Sequence, residues 1–294
     1  MRRLSDLRGG KVYNDKDVRL GKIRGFAVDA AHGRIAYAVL SFGGVLGIGD
    51  KEFAVPWSAI KKNMSPTDHS KVTYVINVDK SRLENVPGFD KDHWPAMADV
   101  KWGRETHAFW GQRPYWEDED RSGVSVNVDK HGVNVDVGHK EHPTVQGTPI
   151  SPEGGKEAGG PSPVLVQADE LVGHDIVDRN GKEYAELTEV MVDPQSGRLV
   201  YGIVQIDKWP DFATDYKYPA PWKLVQVQPK ATDNSGRVLQ DDDNFTVVLD
   251  VPRDKLKSGP RFPEREWPNM TASWGEQVYK YYGLQPFWEK MEKR

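Results

Sequence analysis

"AVDAAHGRIAYAVLSF", residues 27–42, and "VDPQSGRLVYGIV", residues 192–204, are two versions of one hairpin. In each, an Asp opens a turn, a Gly closes it four residues later, and an Arg starts a run of alternating apolar and small residues. The Asp carboxylate can accept backbone N–H bonds to begin the turn, and Gly tolerates the positive φ that ends it. Along the outgoing strand Ile35, Tyr37 and Val39 should face one way and Arg34, Ala36 and Ala38 the other, since side chains alternate across a strand.

Working outward, the hairpin is the centre of a duplication. Leu7, Gly9, Asp29, Gly33, Arg34 and Tyr37 recur as Leu171, Gly173, Asp193, Gly197, Arg198 and Tyr201, and Pro56-Trp57 recurs as Pro221-Trp222. Leu83, Pro87, Phe89 and Trp94-Pro95 match Leu256, Pro260, Phe262 and Trp267-Pro268. "KWGRETHAFWGQRPYWE", residues 101–117, then matches "SWGEQVYKYYGLQPFWE", residues 273–289, and closes each copy. A repeat of this length means that one structural unit is written twice.

Within a unit the pattern is mostly β. "EFAVPW" and "KYPAPW" read as edge or terminal strands, because Pro removes a ladder donor, and "VTYVINV" and "NFTVVLDV" alternate with period two. Many short strands with little helix predict a small closed barrel. The closing motif is the exception. Trp274, Val278, Tyr281 and Tyr282 lie on one stripe of a short helix, Ser273 and Glu276 have capping-box spacing, and Gly283 stands where a helix ends. Trp102, Thr106, Phe109, Trp110 and Gly111 repeat the arrangement. So short a helix needs support, and the barrel of its own unit is the expected bed.

These units resemble the PRC-barrel family, on the strength of "GKIRGFAVDAAHGRIAYAVLSFGGVLGIGDKEFAVPWSAI" with its Gly-rich loop and closing "AVPW", followed by "INVDKSRLENVPGFDKDHWP" and "WGRETHAFWG". The resemblance covers residues 1–116 and 168–288, and the second copy departs where "GGVLGIGDKEF" becomes "DKWPDFATDYKY". It implies two tandem PRC-like β-barrels in a mainly β protein, each followed by a short aromatic-rich helix. It also implies a scaffold or adaptor without catalytic residues. The expected organisation is a first unit at 1–117, a hairpin and Gly/Pro/Ser-rich linker at 118–163, and a second unit at 164–294. In the middle segment Val124, Val126 and Val128 oppose Val133, Val135 and Val137 around "DKHG". A lone ribbon is marginal in water, so this hairpin docks on a barrel, joins a neighbouring chain, or frays.

The chain's 294 residues are 37% hydrophobic and include 10 Trp, enough for two cored domains. A balanced net charge of −4 argues against a nucleic-acid partner. With no Cys there is no disulfide, thiolate chemistry or Cys-ligated metal. No run of about 18 apolar residues marks a membrane span. "MRRLSDLRGG" lacks the apolar core of a signal peptide, which gives a cytoplasmic expectation, or an exported one if a leader has been removed.

The chemical candidates are thin. His131, His139 and His142 with Asp136 and Glu141 match no zinc spacing, "DKDHW" reads as a turn, "LQDDDNF" lacks the alternation of a calcium loop, and "GGVLGIGD" lacks the Lys and Ser/Thr of a phosphate loop. No cofactor and no metal are expected. What stands out is Val45, Leu46 and Ile48 in a loop otherwise of Gly, with Trp209 and Phe212 in the equivalent place. Together with the six hairpin valines these are the candidate partner-binding residues. The function expected is a non-catalytic, self-associating interaction protein, bound to protein through barrel faces or the 123–138 hairpin. The alternative is a small-molecule or pigment-binding protein using the aromatic barrel–helix interface.

Overall fold

The computed structural model describes residues 1–42, 51–64, 72–78, 80–83, 88–91, 93–119, 124–129, 132–137, 163–206, 216–230, 244–286 and 288. The first unit runs β1 (Arg2–Arg3), α1 (Leu4–Leu7), β2 (Lys11–Tyr13), β3 (Arg19–Asp29), β4 (Arg34–Ser41), β5 (Glu52–Pro56), β6 (Ile60–Met64) and β7 (Val72–Ile76). Short helices follow: α2 (Lys80–Leu83), α3 (Val100–Phe109) and α4 (Tyr115–Glu119). A separate ribbon pairs β8 (Val124–Asp129) with β9 (Gly132–Val137), in a register that sets Val124, Val126 and Val128 opposite Val137, Val135 and Val133.

The second unit repeats the order with β10 (Leu165–Gln167), α5 (Ala168–Leu171), β11 (His174–Val177), β12 (Glu183–Val192), β13 (Leu199–Ile206) and β14 (Tyr216–Pro221). It continues with β15 (Val225–Pro229), β16 (Phe245–Leu249), α6 (Arg253–Lys257), β17 (Phe262–Pro263) and α7 (Ala272–Tyr281). The sheets run β5-β4-β3-β2-β7-β6 and β15-β16-β11-β12-β13-β14-β17, antiparallel except for β2–β7 and β11–β16. The protein is therefore mainly β, with two curled half-barrel sheets that match two tandem PRC-like barrels.

The two sheets are not independent. β1 pairs with β12 of the second unit, and β10 pairs with β3 of the first. The long strands make this possible. β3 shifts register at Ile23/Gly25 and again at Ala27/Val28, and β12 does so at Leu187/Glu189 and Met191/Val192. Each such irregularity bends the strand. The near half of each then pairs within its own unit and the far half receives the other unit's N-terminal arm. Behind each arm a single helical turn buries Leu4 and Leu7, or Ala168 and Leu171. Buried side chains of both units accordingly share one large core, beside a smaller cluster where α3 and α4 sit on the first barrel. The sequence suggests two self-contained modules; the exchange of arms is the addition that only the pairing reveals.

The seam is reciprocal. Ile35 N–H donates to Gly197 O and Leu199 N–H to Gly33 O, both at 2.8 Å. Trp57 of one unit lies over Gly197 of the other, and Trp222 lies over Gly33 while its indole N–H donates to Ala30 O at 3.3 Å. Lys62 ties the same seam, stacking on Trp57 and donating to Trp57 O at 3.1 Å and Gln195 O at 3.4 Å.

The twice-written motif has a packing explanation. Trp102 meets Tyr37 edge-on with centroids 5.4 Å apart, and Trp274 meets Tyr201 likewise at 5.6 Å. The glycine after each Trp lets the helix approach the barrel. A Cβ on Gly103 would lie 2.7 Å from Trp116 Cη2, and one on Gly275 would lie 2.7 Å from Tyr201 Oη and 2.8 Å from Trp288 Cζ2. The last Trp of the motif thus folds back onto the helix that its first Trp begins. Gly275→Ala should therefore lower stability by about 1–3 kcal/mol by overpacking. In an exposed helix the same change stabilises by about 1 kcal/mol. A denaturation midpoint that rises on this substitution would contradict the close approach.

The helix ends differ in detail from expectation. α7 is capped by Thr271, whose hydroxyl accepts from Trp274 N at 3.3 Å, rather than by Ser273. α3 is capped by Asp99 through Trp102 N at 2.8 Å. The buried face of α7 is Val278, Tyr279 and Tyr282, with Tyr281 left 36% exposed, so the true stripe is turned by one residue from the one the sequence suggests.

Candidate interaction site

In the first unit α3 does not close fully on the barrel. A groove of about 360 Å³ runs between them, lined by Trp102, Glu105, Thr106, Phe109 and Trp110 on the helix side and by Ala54, Gly88, Phe89 and Pro95 on the other. Each wall is built from local causes. Trp110 sits on the capping turn of α3, and its indole N–H donates to Ala54 O of β5 at 3.1 Å, which fixes the floor. Phe89 is held by a bridge to Glu52, with both backbone bonds at 2.9 Å, and stands edge-on to Trp94 at 6.1 Å. Gly88 packs against the Lys51 and Phe53 side chains, too close for a Cβ to enter without displacement. Arg82 reaches the rim from α2, lying 4.9 Å over the Phe109 ring and donating to Phe109 O.

The equivalent seam of the second unit is bridged by tyrosines. Tyr281 donates its hydroxyl to Lys255 O at 2.7 Å, and Tyr282 and Tyr281 both pack on Gly259.

Beneath the groove's helix lies a polar network that the sequence does not announce. The Asp29 carboxylate, fully buried, accepts from the backbone N–H groups of Ala31 and His32 at 3.1 Å, pairs with His32 Nδ1 at 2.8 Å and accepts from the Tyr115 hydroxyl at 2.7 Å. Arg34 stacks on the outer face of Tyr115 at 4.8 Å. Asp29 also pairs with Leu165, and Ala30 N–H donates to Val164 O at 2.9 Å, so Tyr115 and the second unit's arm are anchored side by side. In the second unit Ser196 replaces His32, and among the described residues the Asp193 carboxylate accepts hydrogen bonds from its own turn.

His107 of α3 is 1% exposed and shares its ring nitrogen Nδ1 with Gly103 O at 2.8 Å. Burial holds its pKa below the ordinary histidine value, against the smaller opposing pull of that bond. The unfolded chain then binds more protons than the folded one below about pH 6.5, so stability falls as pH drops from there toward the depressed value. In the second unit Tyr279 takes the place and donates to Val200 O at 3.1 Å. His107→Tyr should keep the fold and flatten the acid limb of the stability profile; an unchanged limb in urea titrations at several pH values would show that His107 is not its source.

Val45, Leu46, Ile48, Trp209 and Phe212 lie outside the described residues, and the six valines are described only through the pairing of β8 and β9. The His131, His139, His142 and Glu141 set and the 241–243 acidic turn also lie outside them. Among the described residues no group of three or more His, Asp or Glu side chains is placed to hold a metal ion. No helix among them is long and apolar enough to cross a membrane. The groove lies at the aromatic barrel–helix interface that the sequence analysis names.

A family model described as PRC-barrel domain matches residues 1–83 and 163–234. No curated protein matches the chain.

Proposed function

Because the chain belongs to the PRC-barrel domain family, an interaction type of module that is generally non-catalytic, we propose that it works as a scaffold or adaptor that binds protein, copies of itself included. The supporting observation is the exchange of arms. Each barrel already holds another barrel through a strand pairing, two leucine or alanine anchors and a Trp laid over a Gly. Both interiors are filled by the chain's own aromatic and aliphatic side chains. Among the described residues β6 and β15 are paired on one side only, which leaves strand edges of the kind that pair with a partner. The loop residues Val45, Leu46, Ile48, Trp209 and Phe212 and the valine hairpin are further proposed contact points, on the strength of their sequence.

The test is the mass of the full chain by light scattering over a range of concentrations, beside recovery of partners from native extract. Self-association or a reproducible partner is expected. A 33.2 kDa particle at every concentration that retains nothing would sink the reading.

The groove favours a second reading, the binding of a small molecule between helix and barrel. Native mass spectrometry of protein purified without detergent, showing a bound mass that Thr106→Trp abolishes, would support it.

A further inference from the structure

The groove carries a negative charge that the described residues leave unanswered. Glu105 stands on its wall, exposed, and makes no ion pair or hydrogen bond among the described residues. Its basic neighbour Arg104 is taken by Glu117 at 3.1 Å. Around it the lining is aromatic: Trp102, Phe109, Trp110 and Phe89. A carboxylate among ring faces is a poor site for a neutral apolar ligand and a good one for a cation with an apolar stem, since the ring quadrupoles and the carboxylate attract the same charge.

The second unit has no carboxylate in this place, since Gln277 stands where the first unit has Glu105. There Lys255 Nζ lies 6.0 Å from the centroid of Tyr282, the residue that stands where the first unit has Trp110. The first unit's counterpart of Lys255 is Arg82, which lies over Phe109 at the groove's rim and makes no ion pair with Glu105. No cation among the described residues lies on Trp102 or Trp110. Among the described residues arginine is the cation stacked most often, on Phe109, Tyr115, Trp267 and Tyr216, at 4.6–5.3 Å. Its planar fork can lie on an indole and reach a carboxylate with two donors at once, which an ammonium cannot do.

We propose that the groove of the first unit is the receptor for an arginine side chain of a partner protein, with the guanidinium stacked among Trp102 and Trp110 and paired with Glu105. This rests on the reading of the chain as a protein-binding module and gives it a recognition chemistry. The partner's anchor is basic and presented on an apolar surface.

The probe is N-butylguanidinium, titrated into the intact protein and followed by the indole N–H resonances of Trp102 and Trp110, with N-butylurea as its uncharged isostere. A saturable shift in roughly the millimolar range is expected of so small a ligand. The guanidinium should bind about five-fold or more tighter than the urea, and Glu105→Gln, a surface change that leaves the packing untouched, should remove the difference. Equal binding of the two would make the groove merely apolar and overturn the assignment, as would a preference that survives Glu105→Gln or no saturation by either probe. If the probe fails while the chain still self-associates or retains a partner, the groove is wrong and the scaffold reading stands. If the probe binds and the chain remains a solitary particle, the scaffold reading is the one that falls.

Discussion

Asp29→Ala should cost about 3–5 kcal/mol of stability, the range for removing one member of a buried, fully bonded charged network. The carboxylate is 0% exposed and serves four donors, two from its own turn, one from His32 and one from Tyr115. Its loss strands the Tyr115 hydroxyl and the His32 ring in the interior and loosens the segment that carries Trp116 onto α3. The matching change in the second unit, Asp193→Ala, removes bonds to Gln195 and Ser196 alone, at a partly exposed turn. About 1 kcal/mol is expected there, the usual net worth of such bonds. Urea unfolding of both variants measures the contrast; equal losses would mean that the His32–Tyr115 bonds contribute nothing.

Gly197→Ala is expected to cost about 3 kcal/mol, from two sources that can be separated. The backbone there has φ +75°, a conformation that costs an L side chain roughly 1–2 kcal/mol. The new Cβ would also overlap the Trp57 ring across the seam, an overpacking cost of about 1–3 kcal/mol. In a Trp57→Leu background the overlap is relieved and the strain remains, so the two changes together should destabilise by clearly less than their sum. Strict additivity would show that Trp57 does not rest on Gly197. Gly33, at φ +60° and with Trp222 Cδ1 2.9 Å from where a Cβ would stand, should behave in the same way.

How much of this was legible depended on the range of the interaction. The hairpin at Asp29 and Gly33 and its twin, the β content, the two aromatic helices and the family resemblance all come from local periodicity and from comparing the chain with itself. The arms do not. β1 is two residues long, and nothing in Arg2–Arg3 or Leu165–Gln167 says which sheet it will join; that choice is made by bulges in strands far along the chain. The cap of α7 fell two residues from its expected place because Thr271 and Ser273 are both good caps and the barrel decides between them. The Asp29 network was hidden by its asymmetry. A search for repeats rewards what the copies share, whereas His32 and Tyr115 matter because the second copy lacks His32. Reading the mismatches between copies, "AAHG" against "PQSG" and "AFWG" against "KYYG", is the signal that would have pointed to both the network and the open groove.

The reciprocal arms also set a timetable for biosynthesis. A barrel that takes its last strand from the other half cannot finish when its own residues leave the ribosome. The Ala27–Asp29 edge must wait for Leu165–Gln167, a delay on the order of ten seconds at ~5–20 residues per second. During that interval the nascent first half presents an open strand edge, and Arg2 and Arg3, made before the rest of their unit, are among the last to find their place, beside Met191 and Val192.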